Sequence, residues 1–393
     1  MNKFTLFFFI MCLFTLGAKA QDATPAPVLI GDLYYTLDDA SLTAKTAPMP
    51  MAGDTLPRYQ QATESIPAAV DYNGKTYNVV EIGSSTFQSA PNLTQVTLPA
   101  SVTVIADSAF RDSPNLITVV NSASASTIGN WAFFNCTKLA FFLFSPDLTE
   151  ISEHCFQQCS SLTNVTIPEG VTSIKVCAFQ TCSNLKSVTI PSTVNEIVQW
   201  SFDGTAVQSV TIPEGVTSIS AWTFSNNPSL TTLTLPASLI QMDDWACDND
   251  SGLKQIYIAW STPPDPNDPT AEITGIKWWS FGDKVDRSAC TVYVPEEYRA
   301  NYGDTWLDFP VQSYSPTGII AATNETARAY YADGTLNMIN LDGYTVSVYS
   351  VSGQRAATFK ANDTGVQLPL TPGVYVLKAV KGQDAKTVKF IAK

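Results

Sequence analysis

The sequence predicts a repeat solenoid, with one β-strand plus a turn or short helix per 23-residue rung, followed by a small antiparallel β-sandwich. Three observations carry this. Phenylalanine recurs at Phe87, Phe110, Phe133, Phe156, Phe179, Phe202 and Phe224, at steps of 23 residues with a single step of 22, and Cys247 fills the next slot. Only 15% of residues are charged although 45% are hydrophobic, so the chain is folded but not covered by the charged helices of an average globular protein. Residues 316–393 then abandon the period and alternate strand and turn.

In chain order, the first element is MNKFTLFFFIMCLFTLGAKAQ: a basic start at Lys3, an apolar run from Phe4 to Leu16 and a small-x-small site at Ala18-Lys19-Ala20. That is the grammar of a secretory signal peptide, residues 1–20. Its 13 apolar residues fall short of the roughly 20 needed to span a bilayer. Cys12 lacks the small residues that precede a lipoprotein cleavage site, so no lipid anchor is expected. An N-terminal segment and cap follow, residues 21–65, then the solenoid with its closing cap, residues 66–315, and the β-sandwich, residues 316–393.

Within the solenoid, an aliphatic residue stands five places before each phenylalanine slot: Ile82, Ile105, Ile128, Ile151, Ile174, Ile197, Ile219 and Met242. A leucine stands six places after, from Leu93 to Leu253, with Val207 one place early in the sixth rung. Three residues later comes a short strand, VTLP, VTIP or LTLP. A period near 23 lies in the leucine-rich-repeat range. One rung buries too few side chains to offset the ordering of its backbone, so rungs must stack to fold. NSASAS (Asn121 to Ser126) and FFLFSPD (Phe141 to Asp147) interrupt the strand pattern.

The only histidine lies in ISEHCFQQCSSL, beside Cys155 and Cys159, with Cys177 and Cys182 beyond. The repeat explains this cluster without metal or thiol chemistry. The place before the phenylalanine also holds Ala109, Ala132, Ala178 and Ser201, and the third place after it holds Ala90, Ser113, Cys136 and Thr205. His154 shares its column with Ser85, Trp131 and Trp200. A disulfide between stacked cysteines remains open in an exported protein, although parallel Cβ vectors about 4.8 Å apart exceed the usual disulfide spacing. DNDSG (Asp248 to Gly252) and DPNDP (Asp265 to Pro269) lack the ligand alternation of a calcium loop and read as turns. No cofactor or metal site and no enzyme signature is found: no G-x-S-x-G, P-loop or H-E-x-x-H occurs.

The repeat I-x-x-x-A-F-x-x-C-x-x-L-x-x-V-T-I-P resembles the BspA-type (Treponema-type) leucine-rich repeat of bacterial surface proteins. The resemblance covers Ile66 to Tyr314, including a cap-like IPAAVDYNGKTYNVVEIGSSTF and a closing ACTVYVPEEYRANYGDTWLDF. The C-terminal part is similar to the sorting domain of the type IX secretion system, through Val348-Tyr349, Gly353-Gln354, Pro372-Gly373-Val374-Tyr375, Lys378 and Lys389 to Lys393. The resemblance implies export to the outer face of the outer membrane. It further implies recognition of residues 316–393 by the secretion machinery, and adhesion to host extracellular matrix or cell-surface proteins.

Charge excludes one partner class. Residues 21–315 carry 12 basic against 30 acidic side chains, and residues 316–393 carry 8 against 5. An acidic body lacks the clustered cations that nucleic acid requires.

Two surface features stand above scaffold. Trp131, Trp200, Trp222 and Trp245 share the column two places before the phenylalanine. They form either an edge ladder that packs rung on rung or an exposed track for sugar rings or a partner's side chains, which makes glycan the alternative partner. Outward strand positions that elsewhere hold Thr166, Thr189 and Thr211 become Val120, Phe141 and Leu143 in the irregular rungs. These form an apolar contact site if they face outward and core if the register slips.

Overall fold

Each rung closes on itself through two short strands and two turns, so neighbouring rungs meet along two parallel ladders rather than one. The computed structural model describes residues 26–50, 59–264 and 275–314, and between 328 and 392 the strands with parts of their connections. The signal peptide and DPNDP lie outside the described residues. Contacts group the chain into two units, one running through Val292 with Asn301–Val311, the other comprising Tyr293–Ala300 and the chain from Gln312 onward.

The second ladder is the one expected from VTIP. It contains Thr63–Ser65, Gln95–Thr97 and Thr118–Val120; then Asn164–Thr166 and Ser187–Thr189; then Ser209–Thr211, Thr232–Thr234 and Gln255–Tyr257. The first ladder is new. Two-residue strands ending in the aliphatic column pair in strict register, Ile82 with Ile105 and Ile105 with Ile128. The same pairing runs from Ile151 through Ile174, Ile197, Ile219 and Met242 to Ile276. Ile276 therefore opens a ninth rung, in which Phe281 takes the phenylalanine place. The step from Cys247 to Phe281 is longer than one period, which hid this rung from a search for spacing.

Between the ladders, the phenylalanine segment is a turn and not a helix. The residues two before and two after the phenylalanine adopt left-handed backbone in all eight rungs, from Ser85 (φ 56°) and Ser89 (φ 54°) to Trp245 (φ 62°) and Asn249 (φ 62°). Only Gly204 in these columns is glycine, so most pay the steric cost of that region. The geometry points alternate N–H groups along the stack. Phe110 N–H donates to Ala132 O at 2.8 Å and Asp112 N–H to Phe134 O at 2.8 Å, while the intervening Arg111 N–H turns back to Ser108 O at 3.0 Å. Buried backbone is thereby paired from rung to rung.

The phenylalanines form one continuous column in the core. Phe87, Phe110, Phe133, Phe156, Phe179, Phe202 and Phe224 lie 5.1 to 5.5 Å apart between centroids and within 12° of parallel. Tyr59 covers the first ring at 5.2 Å, and its hydroxyl donates to Ala47 O at 2.8 Å. The N-terminal cap is Val28–Ile30, Leu33–Asp38 and Thr43–Ala47, antiparallel, with Thr43–Ala47 parallel to Lys75–Ile82. Ala69–Tyr72 folds back on Lys75–Ile82 through Asn73 (φ 50°) and Gly74 (φ 77°), the two-residue turn that needs left-handed backbone twice. At the far end Phe281 meets Phe309 at 5.2 Å. Arg287 lies over Trp278 at 4.0 Å and Phe309 at 4.6 Å.

The repeat breaks at the third rung. Phe142 and Phe144 point inward where other rungs place Val or Ile, and pack edge-on against Phe133 and Phe156 at 4.9 to 5.5 Å. Space for them comes from Asn121, one rung before Phe144 in the same column, which turns away in left-handed backbone (φ 63°) where Leu98, Ile167 and Ile190 stand in other rungs. The oversized pair displaces residues 141–143 from the ladder, and both ladders are interrupted here. Hydroxyls bridge the gap: Ser152 donates to Ile128 O at 2.5 Å, and Ser122 donates to Leu143 O at 2.7 Å. The strand expected to be lost at NSASAS is present one step earlier, as Thr118–Val120; only the Phe141–Leu143 strand is missing.

The second unit contains two antiparallel sheets. One is Arg328–Ala332, Thr335–Ile339 and Val366–Gln367; the other is Arg355–Lys360, Thr345–Ser350, Gly373–Lys381 and Asp384–Ala392. Leu336, Leu341, Val346, Val348 and Leu377 are buried in one cluster. Tyr349 follows a bulge and faces Lys378, whose ammonium is 5.9 Å from the ring centroid. Gly353-Gln354, Pro372 and Lys393 lie outside the described residues.

The phenylalanine column yields the first prediction. Phe179→Ala removes a ring stacked on both faces and is expected to cost about 3–5 kcal/mol. Urea unfolding monitored by circular dichroism measures it, and a cost below about 1 kcal/mol contradicts a continuous core.

Candidate binding surfaces

The outward face of the second ladder is lined mainly by Thr, Ser, Asn and Gln, because those positions alternate with the buried Val and Ile. The third rung departs from this. Phe141 is 60% exposed and Leu143 46%, with Val120 half-buried beside them. The register has not slipped, since Phe142 and Phe144 fill the interior. Sequence reasoning missed Ile117, which is 48% exposed and whose carbonyl accepts the Ala140 N–H at 3.3 Å. Leu143 is held at both backbone groups by one side chain. Its N–H donates to Ser122 Oγ at 3.3 Å, and that hydroxyl donates to Leu143 O. Four apolar side chains are thus presented on a fixed backbone amid polar neighbours.

The tryptophan column stacks. Trp200 lies on Trp222 at 5.4 Å and 13°, Trp222 on Trp245 at 5.4 Å and 10°, and Trp131 on His154 at 5.0 Å and 9°. The left-handed backbone at each of these residues sets the common direction of the rings. Both faces of Trp222 are occupied by its neighbours. Trp245 is the most exposed of the four, at 39%.

The histidine and cysteines are placed by the same columns. His154 Nδ1 lies 2.7 Å from Gln157 Oε1, and the Gln157 amide nitrogen donates to Gln180 Oε1 at 2.5 Å. The glutamine oxygen is therefore the acceptor, and His154 carries its hydrogen on Nδ1. Gln180 in turn donates to Asp203 Oδ2 at 2.9 Å. The seven cysteines of the described residues are free and buried. Cys136, Cys159 and Cys182 donate to the phenylalanine carbonyl of the preceding rung, Phe110, Phe133 and Phe156, at 3.1 to 3.2 Å. Burial pushes the thiols of Cys136 and Cys182 up to about 12 and that of Cys177 up to about 11, and raises Cys155 and Cys159 well above the ordinary range. Such thiols are neither nucleophiles nor ready ligands. No group of three metal-ligating side chains occurs among the described residues.

In the DNDSG segment, Asp250 occupies the same donor column as the cysteines and is fully buried. Its Oδ1 accepts Asn227 N–H at 2.8 Å, and its Oδ2 has no partner among the described residues. Burial raises its carboxyl well above the usual carboxylate range. Asn227, one rung earlier, donates its amide to Phe202 O at 3.1 Å. An amide therefore suits this column better than a carboxylate.

The N-terminal cap carries an open cleft of about 910 Å³ lined by Asp38, Asp39, Lys45, Tyr72, Lys75 and Glu81 among others. Its charges are partly used internally: Lys75 pairs with Asp39 at 2.8 Å, and the Ser41 hydroxyl, with the Ala40 and Ser41 N–H groups, holds Asp38 below the usual carboxylate range.

Residues 75–183 and 149–262 match the family model described as a BspA type leucine rich repeat region, in six copies. No curated protein matches the chain. Among solved structures the chain is similar to a leucine rich cell surface protein from Faecalibacterium prausnitzii A2-165, at 20% identity over 77% of this chain and 97% of that one, with a TM-score of 0.49. It is similar also to a leucine-rich repeat protein from Bacteroides ovatus, at 15% identity over 77% and 94% of the two chains and a TM-score of 0.39. A third is the T. pallidum leucine rich repeat protein, at 19% identity over 67% and 100% and a TM-score of 0.39. No helix among the described residues is long and apolar enough to cross a membrane.

Two predictions follow from the buried groups. In the native protein at mildly alkaline pH, a thiol reagent is expected to find none of the seven cysteines, and all seven after denaturation; rapid native labelling of Cys155 or Cys159 contradicts their placement. Asp250→Asn is expected to stabilise the protein by about 1–3 kcal/mol at neutral pH. The folded carboxyl titrates above the unfolded value near 3.9. As pH rises between the two, the native state keeps a proton that the unfolded chain has lost, so stability falls. The gain should therefore fade as pH drops below about 4. Thermal melts of both proteins across that range test it.

Proposed function

We propose that this chain is a secreted, surface-displayed leucine-rich-repeat protein that performs no catalysis and binds a host extracellular-matrix or cell-surface protein through Ile117, Val120, Phe141 and Leu143. The observation that carries the reading is the outward display of Phe141 and Leu143. An apolar cluster on a polar strand face is a typical site of protein contact, and its rigid backbone lowers the ordering cost of binding. The raised thiols and the internal bonding of His154 support the absence of catalysis.

Export is part of the proposal. Residues 1–20 read as the signal peptide, and residues 316–393 as a small β-sandwich that the type IX secretion machinery recognises and delivers to the cell exterior. The two antiparallel sheets around one apolar cluster support this. Removal of residues 316–393 is expected to leave the protein inside the envelope, as cell-surface proteolysis would show.

Binding is tested with the mature chain, residues 21–393, on a panel of immobilised matrix proteins. Saturable binding that weakens about 10- to 30-fold in Phe141→Ser or Leu143→Ser, with melting unchanged, is the expected result. Equal binding by the variants removes this face from the function.

A further inference from the structure

The tryptophan column ends in a way that its interior does not. The ninth rung continues the column with Trp279, two places before Phe281, and the Trp245 N–H donates to Trp279 O at 2.7 Å. Trp279 lies in the 3-10 turn Trp278–Phe281 and lacks the left-handed backbone of the eight residues before it in the column. Its ring meets Trp278 edge-on, at 4.8 Å and 78°, instead of stacking on Trp245. Among the described residues the ring of Trp245 is stacked on one side only, against Trp222. The two indoles on these adjacent rungs are 39% and 51% exposed.

Carboxylates accompany them. Asp244, half-buried and directly before Trp245, has no hydrogen bond or ion pair among the described residues. Asp243 accepts from Gln241 Nε2 at 2.7 Å and keeps lone pairs to spare.

We infer that Trp245 and Trp279, with Asp243 and Asp244, form a binding platform for a neutral, gluco-configured oligosaccharide. An indole face is electron-rich and attracts polarised C–H groups. A pyranose with all its substituents equatorial presents such C–H groups on both faces, and its hydroxyls can donate to carboxylates that have lone pairs to spare. The acidic body, 30 acidic against 12 basic side chains over residues 21–315, repels uronic, sulfated or phosphorylated ligands. The platform lies at the end of the column. The middle indole, Trp222, has no free face for a sugar, so the ladder from Trp200 to Trp245 serves as its rigid support. The site is independent of the apolar patch, which lies on the second ladder.

The test titrates the mature chain with cellohexaose and chitohexaose, and with a heparin hexasaccharide for contrast, using calorimetry and tryptophan fluorescence. Saturable binding of at least one neutral hexasaccharide is expected. Affinity should fall about tenfold or more in Trp279→Ala, which loses an exposed ring, and fall less in Trp279→Phe. Trp131→Ser and Phe141→Ser should leave it unchanged. No saturation at millimolar sugar, preference for heparin, or full binding by a folded Trp279→Ala variant would each overturn the inference. None of these results bears on matrix-protein binding, which Phe141→Ser reports separately.

Discussion

Everything in the repeat unit depends on the spacing at which one rung lies on the next. Parallel strands fix that spacing near 4.8 Å, and the phenylalanine rings accept it by stacking slightly offset, 5.1 to 5.5 Å between centroids. The left-handed residues flanking each phenylalanine are costly singly. They persist because most of them turn an N–H toward a carbonyl one rung ahead, and a buried unpaired N–H would cost more than the strained backbone. Ring column and turn bonding thus impose one spacing, and a side chain that fits neither disturbs both ladders together.

Phe142 and Phe144 show the consequence. Their volume exceeds that of the Val and Ile they replace, and the rung accommodates them by giving up its strand rather than its core. Phe141 and Leu143 stay in the outward columns that other rungs fill mainly with polar residues, and so meet solvent. A disturbance of packing and a candidate contact surface thus meet in one rung, where the Ser122 hydroxyl holds the Leu143 backbone. The tryptophan column follows the same logic at its end. A change of turn type at Trp279 stops the stacking and leaves indole surface uncovered.

The polar interior is shaped by the same constraint. The third place after the phenylalanine is small, and Ser113, the stacked cysteines and the Asn227 amide use it to donate to the phenylalanine carbonyl of the preceding rung. Cysteine serves there as a compact donor. Asp250 meets the size limit but not the chemistry, which makes it the column's weakest member.

The sequence by itself determined the stacking period, the aliphatic, phenylalanine and leucine columns of the core, and the reading of His154 and the cysteines as repeat positions. Those features are set by which residues face inward within one rung, and eight copies average away the exceptions. It did not reveal the first ladder, because two-residue strands leave no alternation to read, or the ninth rung, because an insertion hides its spacing. Only the tertiary structure decided that Phe141 and Leu143 face outward, that Ile117 joins them, and that Trp222 is stacked on both faces while, among the described residues, Trp245 is stacked on one. Each of these depends on how much room the adjacent rung leaves. That room is fixed by side chains some 23 residues away in sequence and in contact only once the rungs are stacked.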